Sequence, residues 1–184
     1  LRGAALYALD SFRHFRNRLS DVLTAVDASI SHGILRQLLH CTIQRLRELA
    51  KAESSPPSFD VFVDALMTLI ANLATVASGT SMATGAGLVP QMLELACIEA
   101  PTNYLVQRTS TRAVGLLDSI LYAYPSTFQQ FTASHGIDVL VRRVESDMSL
   151  EQGPESLPYG RVHVLRQILR LFHHLSLIHI SERA

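Results

Sequence analysis

Residues 72–95 read NLATVASGTSMATGAGLVPQMLEL, and the punctuation of this stretch decides the fold. Its first residues keep helical apolar spacing and stop at Ser78-Gly79. Gly85, Ala86 and Gly87 break the chain again, and Leu88 opens a second apolar helix. The same mark recurs elsewhere. Gly33-Ile34-Leu35 with Leu38-Leu39, Gly87-Leu88-Val89 with Met92-Leu93, and Gly136-Ile137 with Leu140-Val141 each set a glycine before matched apolar positions. Three times a long helix is followed by a short one, a glycine and another helix. Glycine at such a joint allows a sharp turn with positive φ. Repetition of one unit places function on a surface rather than in a pocket.

The marking glycines lie 54 and 49 residues apart. That is longer than the roughly 40 to 47 residues of a HEAT or armadillo unit, and insertions at residues 51–58 and 99–102 account for the excess. Between these marks, apolar residues recur at i, i+3, i+4 and i+7, and alternating strand-like runs are scarce. A first helix is expected over residues 3–15, with Leu6, Leu9 and Phe12 or Arg13 on its stripe. Ser20 caps a short one with Val22, Leu23, Val26 and Ile30 inward. After Gly33 a long helix carries Leu35, Leu38, Leu39, Thr42, Leu46 and Leu49. Pro56 and Pro57 end it. Ser58 or Asp60 starts the next helix, which runs to about Ala77. Gly79 and Gly85 bracket one short turn, Leu88–Ile98 is helical with Pro90 in its first turn, and Pro101 closes that unit. A long helix over 103–122, a short one opened by Pro125 with Phe128 and Phe131 inward, a third from Gly136 through Val144 and a last over 161–175 complete the pattern.

The expected fold is therefore all-α, a right-handed superhelix of armadillo or HEAT type with about three repeats and part of a fourth. One helical-repeat domain covers residues 1–175. The polar stretch SLEQGPESLPYG at 149–160 reads as a flexible insertion. Apolar residues make up 48% of the chain and charged residues 17%, which suits helices buried on several sides. The net charge of zero argues against a nucleic-acid binder, which shows a basic stripe. No apolar run is read as reaching the roughly 18 residues that span a bilayer, so no membrane partner is expected. Cys41 and Cys97 form no disulfide framework, which places the chain in a reducing cytoplasmic or nuclear setting. Starting at Leu1 without a signal segment, the chain reads as a fragment.

Several weak motifs in fixed order carry a resemblance. IANL at 70–73, GLVPQML at 87–93, TFQQFTASHGIDVLVRRVE at 127–145 and the insertion at 149–160 follow one another as they do in a known family. The order resembles the N-terminal armadillo-like region of the giant HECT-type ubiquitin ligases of the Mule and Tom type, from about residue 4 to 175. The tail SLIHISERA at 176–184 does not resemble that family's continuation and reads as a non-native end. The resemblance implies a scaffold and recognition segment of a ubiquitin ligase. The cysteine that accepts ubiquitin would sit in a C-terminal HECT domain, and neither Cys41 nor Cys97 takes its role. Rival readings are a stand-alone armadillo adaptor carrying a cargo peptide and a compact helical enzyme, the latter lacking any advertised set of convergent titratable groups.

Armadillo proteins hold extended peptides along a ladder of polar side chains, because an Asn amide both donates to and accepts from a peptide backbone. By resemblance Asn72 takes that place. Aligning the long helices adds Asp10 in ALDSF, Asp118 in LLDSI and Arg170 in ILRLF. These four are expected to line one groove for substrate proteins or peptides, with adjoining repeats of the same chain as further partners. Against this stands the plainer reading, in which Asn72 caps or bridges neighbouring helices and the two aspartates are solvated or pair with nearby arginines. Arg13, Arg16 and Arg18 in SFRHFRNR form a basic-patch candidate, or simply the basic end of a helix. Eight histidines show no metal-binding spacing, and His173 and His174 diverge by about 100° on a helix. No cofactor or metal is expected. Cys97 and Cys41 both read as packed residues, and SGTSMATGAG at 78–87 lacks the Lys-Ser/Thr of a phosphate-binding loop.

Overall fold

A computed structural model describes residues 2–12, 21, 34–74, 87–100, 102–149 and 159–181. Arg13, Arg16 and Arg18, the Ser20-capped helix, Gly33, the turn around Gly79 and Gly85, Pro101 and the centre of the 149–160 insertion lie outside them. Every regular element among the described residues is helical. The α-helices are α1 (Arg2–Ser11), α2 (Ile34–Leu49), α3 (Pro57–Ala74), α4 (Leu88–Ala96), α5 (Tyr104–Ala123), α6 (Phe128–Ala133), α7 (Gly136–Ser149) and α8 (Tyr159–Ser181), with a 3-10 turn at Pro125–Thr127.

The helices form two layers. In one, α1 packs on α3, α3 on α5 and α5 on α8; in the other, α2 packs on α4 and α4 on α7. Contacts of α4 with α5 and of α7 with α8 join the layers, and α6 fills the corner between α4 and α7. Successive units thus stack side by side, which is an all-α repeat arrangement. The apolar pattern explains which helix goes where. In α2 the buried Leu35, Leu39, Thr42, Ile43, Leu46 and Leu49 form one stripe, as a helix covered on one side requires. In α3, Val63, Ala65, Leu66, Met67, Leu69, Ile70 and Leu73 are all buried, because α1 and α5 cover it from both sides. This helix is 18 residues long and apolar enough, by length and composition, to cross a membrane. That corrects the sequence reading that no such run exists; here α3 is a core helix.

Side chains of a following unit close the open ends of helices. Asn103 is buried, accepts from the backbone N–H of Val106 as the N-cap of α5, and donates from Nδ2 to the carbonyls of Leu49 and Ala52, each at 3.1 Å. The Tyr124 hydroxyl donates to the Ala74 carbonyl at the end of α3, at 2.6 Å. Arg143 donates from Nη1 to the carbonyls of Ala96 and Ile98 at the end of α4, at 3.1 and 2.7 Å. The last carbonyls of a helix have no partner within it, so these three residues answer a demand of the backbone and fix the spacing of units at the same time.

The glycines divide by cause. Gly87 has φ of 62°, as expected of a helix joint. At Gly136 the expectation of positive φ fails: His135 before it takes φ of 52°, and Gly136 is required because an added Cβ would overlap the Phe131 ring. Phe131 is fully buried, whereas Phe128, expected inward, is exposed because the short α6 presents one face only. Cys41, expected to pack, is exposed beside the α2 stripe. α1 ends at Ser11, and Phe12, expected on its stripe, is also exposed. The last helix continues past 175 to Ser181.

Candidate functional site

Asp10, Asn72, Asp118 and Arg170 lie on α1, α3, α5 and α8, the four helices of one layer in stacking order. They meet in pairs across neighbouring helices. Asn72 donates from Nδ2 to Asp10 Oδ1 at 2.8 Å. Arg170 Nε lies 3.8 Å from Asp118 Oδ2. A fifth residue joins the second pair: His174 Nδ1 lies 2.8 and 3.0 Å from the two oxygens of Asp118. Asp118 is only 13% exposed, so its charge is held beneath the imidazole and the guanidinium, while Arg170 is 63% exposed.

A second polar row runs beside the first. Tyr7 on α1 donates its hydroxyl to Asp64 Oδ2 at 2.7 Å. Arg112 on α5 donates to Asp64 Oδ1 at 2.6 Å and to the Thr68 hydroxyl at 3.0 Å. Arg108 Nη2 stands 3.8 Å from Asp64. The Tyr7 hydroxyl, then Arg112 and Arg108, hold the Asp64 carboxyl below its ordinary pKa against an opposing effect of burial. The same hydrogen bond raises the pKa of Tyr7, since ionising the phenol would break it and set two anions together. Three successive helices are thus tied at one carboxylate.

His174 and the Asp64 row were not picked out from the sequence. Their spacing carries a signal: Asp64, Thr68 and Asn72 recur every four residues along α3, as do Arg108 and Arg112 on α5 and Arg170 and His174 on α8, so each set shares one helix face. Which helix each set meets is a tertiary fact. Between α5 and α8 the face opens into a cleft of about 420 Å³ lined by Asp118, Ser119, Tyr122, Arg170, His174 and Leu177. Among the described residues no group of three His, Cys, Asp or Glu side chains converges to hold a metal. Cys97 is partly buried at the end of α4, and burial pushes its thiol pKa up, which disfavours the thiolate a nucleophile needs.

Residues 111–179, from the middle of α5 through most of α8, match the Domain of Unknown Function DUF913. Over 194 aligned residues the chain is 25% identical to the E3 ubiquitin-protein ligase TOM1-like of Neurospora crassa, covering 95% of this chain and 5% of that protein. The chain is similar to the TOM1-like ubiquitin ligases. It is 24% identical to the E3 ubiquitin-protein ligase ptr1 of Schizosaccharomyces pombe, covering 87% of this chain and 5% of that protein. With the E3 ubiquitin-protein ligase TOM1 of Saccharomyces cerevisiae it is 28% identical over 80% of this chain and 4% of the relative. The chain spans about a twentieth of the length of these relatives. No solved structure matches it.

Proposed function

We propose that this chain is a protein-recognition and scaffold segment of a HECT-type ubiquitin-protein ligase, working in protein ubiquitination and contributing no catalytic residue of its own. The reading rests on one observation, a polar face built by four stacked helices in a chain similar over most of its length to E3 ubiquitin-protein ligases. In an armadillo-type arrangement that face is the groove. An extended peptide crossing α1, α3, α5 and α8 meets Asp10 and Asn72 first and Asp118 with its two partners last, with the Asp64 row alongside. Each neutral hydrogen bond contributes about 0.5–1.5 kcal/mol net and one to a charged group about 1.5–3 kcal/mol. Useful affinity therefore needs several contacts at once, which a repeated row supplies. Ubiquitin transfer belongs to a distant HECT cysteine in a cytoplasmic or nuclear parent, without a cofactor in this segment.

The test is selection of disordered peptides displayed on phage against the chain, compared with the variant Asp10→Ala/Asn72→Ala/Asp118→Ala/Arg170→Ala. Peptides enriched on the wild type and lost on a variant with unchanged melting temperature support the groove. Enrichment that the four substitutions leave intact overturns it. A variant that loses binding only because it unfolds returns Asn72 and the aspartates to a structural role.

A further inference from the structure

The cleft between α5 and α8 has a chemical character that a general peptide groove does not require. Asp118, its one carboxylate, faces His174 Nδ1 with both oxygens and has Arg170 beside it. What the cleft offers a ligand is therefore the outward Arg170 guanidinium and the remaining edge of the His174 ring. Exposed apolar surface flanks them: Tyr122 is 76% and Leu177 51% exposed. The described residues of α8 include Arg166, Arg170, His173 and His174 and no Asp or Glu. No acidic residue of α8 competes with a ligand for Arg170; the carboxylate with which a ligand shares it is Asp118 of α5, 3.8 Å from Nε and turned toward His174.

We propose that this cleft reads an acidic side chain of an extended peptide, with an apolar residue of that peptide covering Tyr122 and Leu177. The proposal rests on the recognition role argued above and names its substrate class at one end of the face. A planar guanidinium matches a carboxylate with two parallel hydrogen bonds, so Arg170 gives a preference for Asp or Glu that a point charge gives less sharply. Asp118 is a positioning residue: engaged at Nδ1, it fixes the ring and keeps Arg170 over the cleft. Tyr122 adds contact area at small entropic cost, having few rotatable bonds.

Fluorescence polarisation of three labelled ten-residue peptides, in which leucine alternates with aspartate, asparagine or lysine, tests this on the whole chain. The aspartate peptide is expected to bind about tenfold tighter than the asparagine peptide, a difference of about 1.4 kcal/mol, and the lysine peptide most weakly. Arg170→Glu, at a position 63% exposed and checked for an unchanged melting temperature, is expected to reverse the order, while Arg142→Glu on α7 leaves it unchanged. Equal affinity for the aspartate and asparagine peptides, a preference for lysine, or an aspartate preference that survives Arg170→Glu each overturns the proposal. If binding is lost on Asn72→Ala but indifferent to Arg170→Glu, the groove stands and the acidic preference falls. If no peptide binds at any charge, both fall.

Discussion

Replacing Arg143 by alanine is the sharpest test of how the units are held together. Arg143 and Asp147 side chains are each 2% exposed, and Nε donates to Asp147 Oδ2 at 2.8 Å. Nη1 serves the carbonyls of Ala96 and Ile98. Removing the guanidinium leaves Asp147 buried with Arg161 Nε, 3.9 Å away, as its remaining cation. It also leaves two carbonyls at the end of α4 without this donor. Breaking a buried ion pair from one side costs about 3–5 kcal/mol, a large part of the roughly 5–15 kcal/mol that holds a domain folded. For a chain of this size each kcal/mol lowers Tm by about 2–4 °C, so a fall of about 6–20 °C is expected. Thermal melts followed by circular dichroism measure it, with Arg142→Ala as the exposed neighbour, expected within about 0.5 kcal/mol of wild type. The double variant Arg143→Met/Asp147→Leu should recover only the part of the loss that comes from the stranded Asp147 carboxylate, because the carbonyls of Ala96 and Ile98 still lack this donor and Arg161 loses its anion. A melt of Arg143→Ala that matches Arg142→Ala refutes the reasoning.

Asp64→Asn is expected to cost less than about 1 kcal/mol at neutral pH, because the carboxylate is partly exposed. Its folded pKa is depressed, so the stability it adds is present above the ordinary carboxylate value of about 3.9 and is lost as pH falls through the folded value. Urea melts should show the gap to wild type closing below about pH 4; a gap that persists there contradicts the Asp64 assignment. Gly136→Ala should destabilise by about 1–3 kcal/mol through overlap with Phe131, whereas Gly115→Ala, with nothing within 4 Å of the new Cβ, should stabilise α5 by up to about 1 kcal/mol. Denaturant melts of the pair decide the sign. Cys41, exposed on α2, should alkylate rapidly under native conditions and Cys97, partly buried with a raised thiol pKa, more slowly until denaturant is added, as peptide mass spectrometry will record.

The all-α architecture was legible because apolar spacing dictates it locally. Leu35, Leu39 and Leu46 lie one or two turns apart on a face, and no partner need be known to see that the face is buried. The joint at Gly87 follows from backbone chemistry in the same way, whereas α2 already stops at Leu49, seven residues before Pro56, and Pro57 opens α3 as a first-turn proline instead of ending α2. Gly136 misled because two different physical needs select glycine; positive φ at His135 and the Phe131 ring over Gly136 are visible only in three dimensions. The four polar candidates were found by aligning helices, which assigns a layer and not a partner. Hence the plainer reading named the kind of contact, Asn72 bridging helices and an aspartate pairing with an arginine, but not Asp10 as the partner of Asn72 or His174 as a partner of Asp118. Arg143, in the RR pair of the Gly-led helix, gave no sign of which arginine is buried, since helix phase at residue 143 depends on α4 and α8 being present.

The most direct measurement of the recognition role is made in the parent ligase. Cells carrying Asp10→Ala/Asn72→Ala/Asp118→Ala/Arg170→Ala in the full-length protein would be compared with wild type by quantitative mass spectrometry of ubiquitin-modified peptides. Loss of a defined subset of modified substrates, with self-ubiquitination of the ligase at wild-type level, is the expected result. An unchanged substrate spectrum at equal ligase abundance would contradict it and leave the polar face as a device for stacking helices.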